Sequence, residues 1–68
     1  MNEQIEKLDR QLVKLLKERS QLCAQLEDLD VRALMDIWLE EAVDLELDEV
    51  TIEKMFKLAM TLCQKEEE

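Results

Sequence analysis

The chain contains neither glycine nor proline, and this absence restricts its fold more than any other feature of the sequence. Glycine supplies the positive-φ positions of two-residue hairpins and the close backbone approach of phosphate-binding loops. Most tight β-hairpins, Gly-rich phosphate loops and dinucleotide-binding turns are therefore excluded. The 68 residues are 47% hydrophobic and 40% charged, a composition that favours a packed helical core over disorder. We predict an all-α fold in one domain spanning residues 1–68.

A chain of this size is short of internal stabilisation, because it buries only about 60% of the surface that its unfolded form exposes. Two cysteines and no histidine argue against a zinc site, and we predict no metal and no cofactor. Cys23 and Cys63 could form one disulfide, but nothing else in the sequence indicates secretion, so we expect reduced core cysteines. Oligomerisation is then the expected source of stability.

The periodicity of apolar residues predicts three helices, over residues 2–28, 31–43 and 48–65. Asp30 and Asp48 are the predicted N-caps of the second and third helices. The first helix is long, and its apolar residues alternate at spacings of three and four, as in the a and d positions of a heptad. These positions hold Ile5, Leu8, Leu12, Leu15, Leu22, Leu26 and Leu29.

The net charge of −9 is concentrated in one segment. Residues 28–53 contain ten acidic side chains and a single base, Arg32, whereas the remaining residues are neutral in sum. Nucleic-acid binding calls for a basic face, so we predict no nucleic-acid partner. We predict no membrane partner, because no uncharged stretch approaches the roughly 20 residues that span a bilayer. We also predict a cytoplasmic location, because the N-terminal sequence Met-Asn-Glu-Gln does not have the pattern of a signal peptide. The acidic face of residues 28–53 is either a solvated surface or a docking site for a basic protein.

Arg19 interrupts the heptad pattern, because it occupies the a position between Leu15 and Leu22. A guanidinium keeps its charge in proteins, so it must reach solvent, an acidic side chain or an anionic ligand. One prediction is that Arg19 pairs with a carboxylate on a neighbouring helix and fixes the register of packing. The alternative is an anion-binding site within a helical bundle, where Arg19 donates two hydrogen bonds to a carboxylate.

Residues 5–22 resemble the first helix of the all-helical chorismate mutases, whose pattern is I-x-x-(I/L)-D-x-x-(I/L)-x-x-L-(I/L)-x-x-R-x-x-(L/I). The matching residues are Ile5, Leu8, Asp9, Leu12, Leu15, Leu16, Arg19 and Leu22. A weaker match, Leu47-Asp48 followed by Ile52, Phe56 and Leu58, is similar to the closing helix of that family. The resemblance implies an intertwined homodimer of three-helix subunits, with the long first helices pairing across the dimer. It also implies a cofactor-free isomerisation of chorismate to prephenate, in which cationic side chains hold the substrate carboxylates.

The other positions depart from the family pattern. Asn2 and Asp30 stand where the family has an arginine and a lysine. The connection between the first two helices is about a dozen residues shorter, and Arg32 is the candidate remnant of the cation that opens the second helix. Cys63 replaces a serine, and Glu67 stands at a position where the family has glutamine or glutamate.

Each lost electrostatic contact of this kind typically costs about 10²–10³ in rate. The sequence therefore predicts a chorismate mutase-like dimer that acts as a degenerate binding or regulatory module. One alternative is a minimal chorismate mutase that uses Arg19, Arg32 and Glu67. The other is a structural coiled-coil adaptor in which Arg19 is bound by a protein carboxylate.

Overall fold

A computed structural model describes residues 2–63, and these residues form α-helices without any strand. The helices are α1 (Glu3–Gln25), α2 (Val31–Asp44) and α3 (Glu49–Thr61). The predicted all-α class and the number of helices are confirmed for this part of the chain. Between residues 2 and 63, no helix is both long enough and apolar enough to cross a membrane.

The two predicted N-caps are confirmed, and both act through a side-chain carboxylate. Asp30 accepts a hydrogen bond from the backbone N–H of Ala33 at 3.1 Å. Asp48 accepts one from the backbone N–H of Thr51 at 2.8 Å and another from the Thr51 hydroxyl at 2.7 Å. Each carboxylate thereby satisfies an N–H group that has no partner within its own helix, and it complements the helix dipole.

α1 ends at Gln25, three residues before the predicted end of the first helix. The backbone of Leu26 is already extended, with φ −90° and ψ 138°. Glu27 and Asp28 follow, and negative side chains are unfavourable at the negative end of a helix dipole. No basic side chain occupies the last turn of α1 to offset them.

α3 ends at Thr61, and the prediction that it continues through Leu62 and Cys63 is wrong. The N–H groups of Leu62 and Cys63 bond to carbonyls three residues back, both at 3.0 Å, which tightens the last turn and closes the helix. Residues 64–65, the rest of the predicted helix, lie outside the described residues.

The turn between α2 and α3 replaces the usual glycine with glutamate. Glu46 has φ 60°, in the left-handed region that favours glycine. The Leu47 N–H donates to the Ala42 carbonyl at 2.7 Å, and the Glu46 N–H donates to the Val43 carbonyl at 3.2 Å. These two bonds form a Schellman motif, which satisfies the carbonyls at the end of α2. A non-glycine residue in this conformation costs about 1–2 kcal/mol.

α2 and α3 form a helical hairpin around an aromatic pair. The rings of Trp38 and Phe56 meet edge to face, with centroids 5.3 Å apart and an interplanar angle of 73°. Phe56 is 1% exposed, and Ala42 and Ala59 are buried beside this hairpin interface. No Cα atom of α1 comes within 8 Å of a Cα atom of α2, so the backbone of α1 approaches the hairpin at α3.

The structure joins Cys23 of α1 to Cys63 in a disulfide, with the two Cα atoms 5.4 Å apart. This separation lies in the ordinary range for disulfides. The expectation of reduced cysteines is therefore wrong. The two residues are 40 positions apart, and only the packing of α1 against α3 brings them together.

The described molecule is more extended than a compact domain of its size. Its radius of gyration is 13.7 Å, compared with about 11 Å expected for a compact chain of this length. The apolar heptad residues of α1, together with Leu26 at its C-cap, are 50–63% exposed within the described part of the chain. We call them the α1 stripe: Ile5, Leu8, Leu12, Leu15, Leu22 and Leu26.

Candidate functional site

Arg19 lies against two aromatic rings and a sulfur atom. Its guanidinium carbon is 5.6 Å from the centroid of the Trp38 ring and 5.7 Å from that of Phe56. One guanidinium N–H donates to the sulfur of Met60 at 3.3 Å. Both ring distances are within the range of cation–π attraction, which stabilises a charged group that is partly removed from water.

The position of Arg19 follows from the way α1 meets α3. Cys23 lies one turn further along the same side of α1, and its disulfide holds this end of the helix against the end of α3. Leu16 and Cys23, which flank the heptad positions, are more buried than the α1 stripe. Because residues three and four apart share a helix face, the contact that buries Cys23 also places Arg19 over the hairpin rings.

The predicted pairing of Arg19 with a protein carboxylate is wrong for the described residues. The ion pair found between residues 2 and 63 joins Lys57 to Glu53 at 3.2 Å, within α3 and largely exposed. A guanidinium has five N–H donors, and the protein acceptor of Arg19 in this part of the chain is the Met60 sulfur. Within residues 2–63, this arrangement leaves N–H donors of Arg19 available to an anionic group.

A groove of about 350 Å³ runs beside Arg19, and we call it the Arg19 groove. Apolar side chains form most of its wall, and Glu18 is its acidic member. Its lining residues are Leu15, Glu18, Arg19, Leu22, Cys23, Leu26, Leu29 and Leu34. A surface with one cation and a leucine-rich wall suits a ligand with one anionic end and an apolar body. Glu18 opposes a ligand that carries two negative charges.

The structure does not place the other predicted site residues in this groove. Arg32 is exposed in the first turn of α2 and is not a lining residue. Glu67 lies outside the described residues. Asn2 and Asp30, which stand where the family has cations, are helix N-caps. A short polar side chain is suited to that capping role, whereas lysine or arginine has no acceptor to offer the free N–H groups.

The immediate partners of Arg19 could not be identified from the sequence. The sequence predicts that Trp38 and Phe56 lie on the apolar faces of their helices, and that Met60 fills space in the core or an interface. Their separation from Arg19 in the sequence is 19, 37 and 41 residues, so no local spacing connects them. The polar residue within an apolar heptad was the one available signal, and it identified Arg19 alone.

Comparison with known proteins supplies no relative, since no protein-family model, no curated protein and no solved structure matches the chain. The resemblance to the chorismate mutases therefore depends on the residues quoted for it, chiefly residues 5–22. A functional conclusion has to come from the geometry around Arg19 and from the exposed surfaces.

Proposed function

We propose that this protein is a chorismate mutase-like helical homodimer that serves as a binding or regulatory module rather than as an efficient mutase. The observation that carries the proposal is the environment of Arg19. Its guanidinium is held by two rings and a sulfur at the edge of a leucine-lined groove that contains no second cation among its described lining residues. Arg19 is thus the one cation of the family pattern in this groove, and the other cations that a mutase would use are not among its described lining residues.

The electrostatics of the groove argue against efficient mutase catalysis. Chorismate carries two carboxylates, and the family reaction depends on several cations that orient it and stabilise its transition state. Loss of two such contacts, at about 10²–10³ each, would remove most of the acceleration. Glu18 in the wall and the net charge of −9 further disfavour a dianionic ligand.

The α1 stripe supports the proposed dimer. It is an apolar surface, interrupted only at the heptad position of Arg19, along a 23-residue helix about 35 Å long. Burying the exposed part of each leucine contributes about 1 kcal/mol, and a two-fold pairing doubles the number of side chains that gain. A second copy offers the same stripe, so the two surfaces are matched in length and apolar character.

Sedimentation of two matched variants tests the dimer. Leu12 belongs to the α1 stripe, whereas its neighbour Val13 is 64% exposed and lies outside the stripe. We expect the wild-type protein to be dimeric at micromolar concentration, Leu12→Asp to be monomeric, and Val13→Asp to remain dimeric. A wild-type monomer, or equal dissociation of both variants, contradicts the proposal.

The minimal chorismate mutase is the second candidate function, because Arg19 keeps donor capacity beside an open groove. A direct assay of prephenate formation distinguishes the two functions. The proposed module gives no rate above the uncatalysed reaction. A catalysed rate that is abolished in Arg19→Ala would establish the enzyme and overturn the proposal. The coiled-coil adaptor is less well supported, since it predicts a carboxylate on Arg19 and no groove beside it.

The cytoplasmic location stays a prediction from the sequence. Disulfides persist most readily in oxidising compartments, so the Cys23–Cys63 bond does not favour a reducing cytoplasm. The state of Cys23 and Cys63 in the cell can be measured by adding an alkylating reagent at the moment of cell lysis and then determining the mass of the protein. Alkylated Cys23 and Cys63 would support the cytoplasm, whereas an intact bond would indicate an oxidising compartment.

A further inference from the structure

A second apolar groove lies on the α2–α3 hairpin, near its turn. It has a volume of about 300 Å³, at the lower end of small-molecule pockets, and we call it the hairpin groove. Its lining residues are Ile37, Trp38, Glu41, Ala42, Leu47 and Ile52. Ile37 is 55% exposed and Leu47 is 50% exposed, so the apolar wall is open to a partner.

The charge around this groove differs from the charge around the α1 stripe. Every lining residue belongs to the segment 28–53, which carries the whole net charge of −9. Glu41 forms part of the wall, and Glu40 and Asp44 are exposed on the same helix. Residues 3–25 contain five basic and four acidic side chains and are close to neutral.

This difference assigns the two apolar surfaces to different partners. Two copies that met through their hairpin grooves would bring Glu41 of one copy, with the exposed Glu40 and Asp44 of the same helix, close to the same acidic residues of the other. Juxtaposition of like charges at an interface costs several kcal/mol, so this contact is disfavoured between copies. The α1 stripe has no such penalty and remains the surface for self-association. The hairpin groove calls for a positively charged occupant.

We propose that the hairpin groove binds a basic amphipathic helix from another protein. Apolar side chains at helical spacing insert against Ile37 and Leu47, while lysine or arginine side chains flank them and meet Glu41 and the neighbouring acids. The inference rests on the proposed function, because it names the partner class of a binding module. The apolar contacts supply affinity, and the charges speed association and exclude acidic helices.

Trp38 provides the readout, since it lines the groove and is the only tryptophan in the chain. The ligand used is a synthetic helix of leucine and lysine with leucines at i, i+3, i+4 and i+7. We expect a saturable shift of Trp38 fluorescence that weakens when NaCl is raised from about 0.05 to about 0.5 M. A peptide of the same composition, scrambled to destroy the apolar face, should bind at least about tenfold more weakly.

Matched variants locate the binding surface. Ile37→Lys places a charge in the groove and should lower the affinity at least about tenfold. Leu58→Lys, at a residue that is 68% exposed and does not line the groove, should leave the affinity unchanged. Helix content measured by circular dichroism confirms that both variants are folded. Equal effects of the two substitutions, or equal binding of the scrambled peptide, would overturn the inference.

The peptide-binding experiment and the sedimentation experiment can fail independently of each other. Absence of peptide binding by an intact dimer rejects this inference and leaves the α1 pairing in place. Peptide binding by a monomeric wild-type protein rejects the dimer and retains the groove. If Ile37→Lys converts a wild-type dimer into a monomer, a second copy occupies the groove and the proposed partner is wrong.

Discussion

α1, a single helix of 23 residues, and the α2–α3 hairpin, whose helices have 14 and 13 residues, are held in place by different interactions. α1 has the stronger heptad pattern, yet Cys23 is its one buried residue among those described. The hairpin contains the buried Ala42, Phe56 and Ala59, a hydrogen-bonded turn and two capped helices. A clear apolar pattern thus identifies the face of a helix that requires cover, without showing which molecule provides that cover.

Truncation of Phe56 should strongly destabilise the packing of the α2–α3 hairpin. Phe56 is 1% exposed and contacts both Trp38 and Arg19, so Phe56→Ala leaves a cavity at the centre of the hairpin. We expect a loss of about 4 kcal/mol in the free energy of unfolding, measured by chemical denaturation. Leu58→Ala, on the same helix but 68% exposed, should change it by less than about 0.5 kcal/mol. Similar losses in both variants would show that the hairpin has no specific core.

Reduction of the disulfide should affect α1 more than the hairpin. The bond closes a span of 40 residues, and its loss should destabilise the fold by about 3 kcal/mol. Hydrogen exchange should show a larger loss of protection in α1 than in the hairpin, because α1 has few other contacts within its subunit. The control is the double variant Cys23→Ser, Cys63→Ser, in which reductant should change nothing. Unchanged protection of α1 after reduction would mean that packing alone holds it.

The substitution Glu46→Gly should stabilise the hairpin turn. Relief of the left-handed strain at φ 60° is expected to raise the free energy of unfolding by about 1 kcal/mol. The same change at Glu40, in the interior of α2, should lower it by about 1 kcal/mol, because glycine is a poor helix former. Thermal unfolding of the two variants gives the comparison. A destabilised Glu46→Gly variant would contradict the proposed strain.

The smallest expected effect is the pH dependence of the α3 cap. Hydrogen bonds from the Thr51 hydroxyl and backbone N–H lower the pKa of Asp48 below its usual value. The contribution of Asp48 to stability is therefore complete above the unfolded pKa of about 4 and is lost as the pH falls through the lower folded pKa.

Unfolding measured between about pH 6 and pH 2.5 should show a shallower acid dependence for Asp48→Asn than for the wild-type protein. Asparagine retains the cap but does not titrate in this range. Asp36→Asn, which removes an exposed carboxylate from the middle of α2, is the matched control. An identical acid dependence in Asp48→Asn and the wild-type protein would show that the cap does not depend on its charge.

The features that the sequence predicted correctly are local ones. The starts of α2 and α3 follow from carboxylates at Asp30 and Asp48, and the α1 stripe follows from spacing along one helix. The end of α1 was placed too late, because without glycine or proline the chain has no strong signal for helix termination there. The end of α3 was misplaced for the same reason.

Features that depend on distant segments could not be read from the sequence. Cys23 and Cys63 approach each other only after α1 has packed on α3. The same contact places Arg19 on Trp38 and Phe56 instead of on a carboxylate. Sequence spacing identified Arg19 as unusual. Its partners are distant in the sequence and are brought to it by tertiary packing, so no local pattern could predict them.

The disulfide also has a topological consequence. Residues 23–63 form a closed covalent ring that contains the whole hairpin, whereas residues preceding Cys23 form an arm attached at one point. A protease that cuts once within the ring leaves a single covalent molecule, while a single cut in the arm releases a fragment of it. The hairpin groove is thus carried by a ring that survives nicking, and most of the α1 stripe is carried by an arm that can be removed.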